Sequence, residues 1–202
     1  MAQPEFGATA WGRAWLRTIE RTNGVPNPQL PKARSLARNR KATLTLAAET
    51  ITATVLDGAA THNVSIPIAR WNDTEQATAK PILAAGQTDS VVGDLPDQLL
   101  DTLTKAGVPT AVPIADIAAT CTCRSRTKPC AHILTALYGL VLLVDERPAT
   151  ALEIRAKSLV SGPPSDPDWV PLSAIRPEHF YTTATAWRRP LRLGRPGAGR
   201  RR

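Results

Sequence analysis

All three cysteines of this 202-residue chain, and one of its three histidines, fall within twelve residues: Cys121-Thr122-Cys123-Arg124-Ser125-Arg126-Thr127-Lys128-Pro129-Cys130-Ala131-His132. Thiolate sulfur and imidazole nitrogen are the donors a tetrahedral Zn²⁺ prefers, and here they come as C-x-C, six residues, then C-x-H. With Cys121, Cys123, Cys130 and His132 all bound, the set is Cys₃His and no position is left open for water. Such a site is structural, which argues against a zinc hydrolase. The competing readings of the same cluster are a redox-active C-x-C pair and an inert group of thiols.

The spacing constrains the elements that must carry these donors. In an extended backbone, side chains two apart share a face, so Cys121 and Cys123 can reach one ion from the end of a strand. In a helix, residues two apart diverge by about 200°, so Cys130 and His132 cannot both lie mid-helix. The spacing therefore predicts Cys130 just before a helix and His132 in its first turn. Pro129 supports this by fixing its own φ and biasing Lys128 towards an extended conformation. The apolar run Ile133 to Val144 is then the buried helix that anchors the second ligand pair.

The pattern C-x-C…C-x-H followed by an apolar helix resembles the SWIM-type zinc finger. The opening segment Phe6-Gly7-Ala8-Thr9-Ala10-Trp11-Gly12-Arg13-Ala14-Trp15-Leu16 is similar to the tryptophan-rich W-G-R-A-W start of bacterial SWIM proteins. A strand-rich middle, a short acidic helix over Leu95 to Ala106 and a helix over Ala151 to Ala156 extend the resemblance across residues 6 to 158. It implies that Cys121, Cys123, Cys130 and His132 bind zinc, and that the finger binds DNA or proteins. It also implies association with helicase-like ATPases of the chromatin-remodelling type.

Charge is distributed unevenly. The formal total is +8, with eight Lys/Arg against two acids over residues 1–41, ten against fifteen over 42–187, and seven arginines against no acid over 188–202. The basic excess sits at the two ends and the body is mildly acidic. Five cations in Lys32 to Lys41, including Arg34, Arg38 and Arg40, make an electrostatic footprint for a phosphate backbone; the alternative is a solvated helix or strand entry. The loop cations Arg124, Arg126 and Lys128 have two readings as well. They offset the −1 charge of three thiolates and Zn²⁺, or they contact phosphates.

Along the chain, Thr9 is placed to cap a helix over 9–21 with Trp11, Trp15 and Ile19 on its core stripe. Asn23 to Pro31 reads as a linker. Alternation of Leu44, Leu46 and Ala48, of Ile51, Ala53 and Val55, and of Val64, Ile66 and Ile68 around an Asp57-Gly58 turn predicts an antiparallel meander. Pro81 interrupts a weak helical pattern, giving a short helix over 73–79 and a second turn beyond the break; Pro96 and Gly107 bracket a better one. Val112 to Ala119 runs extended into Cys121, and Pro148 and Thr150 open a last helix through Lys157. His62 and His179 have no partner at metal spacing and receive no role.

The expected fold class is therefore α+β: a small antiparallel sheet of about three strands with helices, a zinc finger over 119–144 leading into a buried helix, and a basic C-terminal tail. The expected organisation is a Trp/Arg helix and linker over 1–31, a core over 32–160, and a Pro/Arg-rich tail over 161–202. Residues 168–187 supply aromatics for one docking turn, and the arginine-rich end lacks the apolar surface to offset ordering. Cysteines gathered in one odd-numbered cluster, no secretory leader and no apolar run of about 20 residues fit a cytoplasmic protein without a membrane partner. No Gly-rich phosphate loop, G-x-S-x-G or carboxylate–histidine pairing is present, so neither an enzyme nor a small-molecule substrate is expected. The leading expectation is a zinc-stabilised nucleic-acid-binding module; the alternative is a protein-interaction adaptor.

Overall fold

A computed structural model of the chain describes residues 5–20, 26–47, 49–86 and 95–160. Ala48 and the tail over 161–202, with its expected docking turn and disordered end, lie outside the described residues.

The sheet is antiparallel throughout, with strands β1 (Ala42–Leu46), β2 (Thr50–Asp57), β3 (Ala60–Pro67) and β4 (Thr120–Cys121) in the order β1-β2-β3-β4. The first three are the expected meander. Their period-2 pattern sends Ile51, Ala53, Val55, Val64 and Ile66 to one buried face, while Thr43, Thr45, Thr52 and Thr54 stay exposed. Gly58, at φ 62°, takes the left-handed conformation the β2–β3 turn requires. The sheet has four strands where about three were expected. The added β4 pairs only two residues, Val64 with Cys121 and Ser65 with Thr120, too short a run to announce itself by alternation.

Helices cover the buried face. The central one, α5 (Ala131–Glu146), packs against all four strands and against three other helices, α1 (Ala10–Ile19), α2 (Leu30–Arg38) and α6 (Ala149–Val160). Its Ile133, Leu134, Leu137, Tyr138, Leu140 and Val141 are each no more than 1% exposed, so burial all round follows from apolar residues all round. On α1, Trp11 and Trp15 are buried in the same core, and Thr9 caps the helix by accepting from Gly12 N at 2.9 Å. Asp145 at the end of α5 accepts from Gly7 N and Thr9 N, both at 2.8 Å. A Cβ at Gly12 would lie 2.0 Å from Asp145 Oδ1, so any larger residue there would displace the carboxylate from these contacts.

The remaining α-helices among the described residues are α3 (Asp73–Gly86) and α4 (Asp97–Lys105). The expected break in α3 does not occur: the helix continues through Pro81, which removes one internal donor while buried Ala79 and Leu83 hold both sides to the core. Residues 30 and 31 belong to α2, with Pro31 in its first turn, so the expected linker is shorter than Asn23 to Pro31. A 3₁₀ turn over Ile114–Asp116 interrupts the segment expected to run extended into β4.

Candidate metal centre

Each ligand pair stands on its own element. Cys121 ends β4, fixed opposite Val64, and the pairing continues one residue on, where Thr122 N donates to Asn63 O at 3.1 Å and Asn63 N donates to Thr122 Oγ1 at 3.0 Å. The chain turns after Cys123 and comes back through Pro129, whose carbonyl accepts from Asn27 Nδ2 at 3.0 Å. Cys130 is the N-cap of α5, with extended backbone at φ −78° and ψ 168°, and His132 lies in the first turn. This is the arrangement the C-x-H spacing requires.

The sequence-expected ligands Cys121, Cys123, Cys130 and His132 come together: their donor atoms all lie within 4.8 Å of one another, and Cys121 Sγ is 3.8 Å from His132 Nδ1. Around a tetrahedral ion with metal–sulfur bonds of about 2.3 Å and a metal–nitrogen bond of about 2.0 Å, donors stand about 3.5–3.8 Å apart. The residues therefore fit a four-coordinate ion. Cys130 and His132 are 1% and 7% exposed, and the other two cysteines are half-buried, so the donors face inward together.

The thiols are electrostatically unequal. Burial pushes Cys121 up to about 12, reinforced by Cys130 and only partly countered by donation from Cys123 N at 3.5 Å. At Cys123, burial also opposes ionisation but is outweighed by donation from the Ser125 backbone, then by His132 and the neighbouring thiols, which bring it down to about 6. Between these two, the surroundings favour the thiolate at Cys123 over that at Cys121. Metal entry must displace the proton from Cys121.

Two residues beside the cluster had no signal in the sequence. Asp57, at the end of β2, lies 3.0 Å from His132 Nε2 and 2.6 Å from Lys32 Nζ. The Lys32 ammonium, with a second contribution from His132, holds its carboxyl below the usual carboxylate range. His62, given no role on spacing, stacks on His132 with ring centroids 3.9 Å apart and planes 24° from parallel. Both lie roughly seventy residues from the finger, so only the β2–β3 hairpin brings them to it.

The cations expected to contact nucleic acid fall into two groups. Arg34 pairs with Glu20 at 2.5 Å and lies 3.1 Å from Tyr138 Oη; Arg38 lies over the Phe6 ring at 5.6 Å; Arg40 is 3.6 Å from Glu146. Arg124, Arg126 and Lys128 alternate outward along the loop while Cys123, Ser125 and Thr127 turn partly inward. None of these three is ion-paired with a described residue. Among the described residues no helix is long and apolar enough to cross a membrane. No protein-family model matches the chain, and neither does any curated protein or any solved structure.

Proposed function

We propose that the protein is a zinc-stabilised binding module whose finger loop contacts nucleic acid. The observation that carries this reading is the exposure of Arg124, Arg126 and Lys128 on a loop whose two ends are both held by cluster residues. Three thiols and one imidazole favour zinc among the common divalent ions, because hard oxygen-seeking cations take carboxylate and carbonyl sets instead. All four positions are then filled by the chain, so the ion shapes a surface and performs no hydrolysis. A loop clamped in this way presents its cations at fixed spacing, which lowers the ordering cost of meeting a phosphate backbone. The resemblance of C-x-C…C-x-H and W-G-R-A-W to SWIM proteins points the same way.

A second reading is supported by the balance of charge. Residues 42–187 carry ten Lys/Arg against fifteen acids, and a negative body repels phosphates. On that reading the finger is a docking surface for a protein such as a helicase-like ATPase. Metal analysis followed by mobility shift of the zinc-loaded protein on duplex DNA separates the two. Nucleic-acid contact predicts binding that weakens steeply between about 50 and 200 mM salt, with released counterions setting the slope. Binding that is absent, or indifferent to salt, overturns it, and a protein partner that survives nuclease digestion then favours the adaptor.

A further inference from the structure

His132 belongs to two groups of potential ligands at once: the cysteine cluster, and a set formed with Asp57 and His62. Its ring divides between them, with Nδ1 facing Cys121 Sγ at 3.8 Å and Nε2 facing Asp57 Oδ2 at 3.0 Å. A neutral imidazole that gives the lone pair of Nδ1 to a metal must keep its hydrogen on Nε2, and that hydrogen points at the carboxylate.

The Asp57 set is poorly built to hold an ion of its own. Lys32 Nζ already lies 2.6 Å from the same Oδ2, so a cation arriving there meets an ammonium. The lone pairs of an imidazole lie in its plane, and two rings stacked 24° from parallel do not aim them at one point. What the geometry does supply is a holder for His132: a carboxylate at its far nitrogen, a cation at that carboxylate, and a second ring against its face.

We propose that Asp57 is the positioning residue of the metal centre: it accepts from Nε2–H of His132, selects Nδ1 as the ligating nitrogen, and ties the finger to the β2–β3 turn. Lys32 on α2 holds Asp57 from the other side, and His62 fixes the plane of the His132 ring. The Lys32–Asp57 pair is neutral overall, so it orients the ligand without adding to the charge of the thiolates. Outer partners of metal-bound histidines act in this way, and their loss weakens metal binding about 10–100-fold.

This inference rests on the metal-bearing reading of the cluster, so the first measurement is zinc content of the full chain. A wild-type protein that takes up no zinc sinks both. In zinc-loaded wild-type protein, ¹⁵N-resolved NMR of the histidine rings should show the His132 hydrogen on Nε2 and the metal on Nδ1; the reverse assignment overturns the proposal while leaving the metal site standing. Competition against a chromophoric chelator should then show Asp57→Ala losing about 10–100-fold in zinc affinity, with Asp57→Asn, which keeps an acceptor oxygen, recovering part of the loss. Affinity within twofold of wild type in Asp57→Ala refutes the role. Melting with and without zinc separates positioning from plain structural support: a positioning residue reduces the increment that zinc adds, whereas a structural one lowers both melting points equally.

Discussion

Two stretches of this chain are equally basic to the eye, the run from Lys32 to Lys41 and the loop from Arg124 to Lys128, yet the fold treats them oppositely. In the first stretch most cations have a local partner: Lys32 pairs with Asp57 and Arg34 with Glu20, Arg38 lies over the face of Phe6, and Arg40 has only an exposed contact with Glu146. On the loop, Arg124, Arg126 and Lys128 are exposed and form no ion pair with a described residue. The difference teaches that charge density along a sequence does not define an electrostatic footprint. What counts is which acids the fold brings alongside, and here Glu20, Asp57 and Glu146 arrive from three different elements.

Metal removal should affect the two stretches most unequally. If zinc is present at about 1,000 times its dissociation constant it adds about 4 kcal/mol, and stripping it from a chain of this size lowers the melting temperature by about 8–16 °C. Hydrogen exchange should rise first over residues 120–132 and leave α2 protected, because Ala33 and Ala37 bury that helix independently of the ion. The stripped protein also has a pH signature. With Cys123 depressed to about 6, its thiolate appears as pH rises through that value, so iodoacetamide should label Cys123 before Cys121, which is pushed up to about 12. Zinc should protect both, and equal labelling of the two thiols at neutral pH would show that they share one environment.

Substitution of the cations is the next largest effect and the sharpest form of the comparison. Replacing Arg124, Arg126 and Lys128 together by serine should reduce the dependence of log affinity on log salt by about 2 to 3, the signature of three lost phosphate contacts, with no change in melting. Arg34→Gln should do the reverse. The ion pair is partly exposed, so its loss, with the hydrogen bonds it makes, costs about 1 kcal/mol and roughly 2–4 °C, while the salt slope stays put. If Arg34→Gln lowers the slope and the triple loop variant does not, the assignment of the two stretches is inverted.

The same contrast explains what the sequence disclosed. The four donors were legible because they are contiguous and because a helix cannot aim residues 130 and 132 at one ion; the N-cap position of Cys130 follows from that constraint alone. The tryptophan stripe of α1 and the β2–β3 alternation were legible for the same reason, since periodicity is a local property. Asp57 and His62 were not, because their relation to His132 exists only once the hairpin folds over the start of α5. An extended approach to Cys121 was legible but the pairing of β4 with the sheet was not, since two residues are too few to show alternation, and the uninterrupted α3 was hidden because packing on either side of Pro81 overrode a local penalty. Pairing of the α2 cations was hidden because each partner is distant in sequence.

The smallest expected effect concerns Arg40, which a charge count assigns to a phosphate and the backbone assigns to a helix end. Helix α2 closes with Lys41 N donating to Leu36 O at 3.0 Å and Arg40 N to Ala37 O at 2.9 Å, the double bond of a Schellman cap, and Arg40 occupies its left-handed position at φ 52°. Glycine adopts that conformation without the clash of a Cβ against the following carbonyl, which costs an ordinary residue about 1–2 kcal/mol. The greater freedom of glycine in the unfolded chain takes back part of that gain. The opposing charge of Glu146 at 3.6 Å is exposed and contributes little. Arg40→Gly should therefore leave the salt slope of nucleic-acid binding unchanged and raise the melting temperature by no more than about 2–4 °C. A slope reduced by about 1 would instead make Arg40 a phosphate contact and extend the binding surface from the loop onto α2.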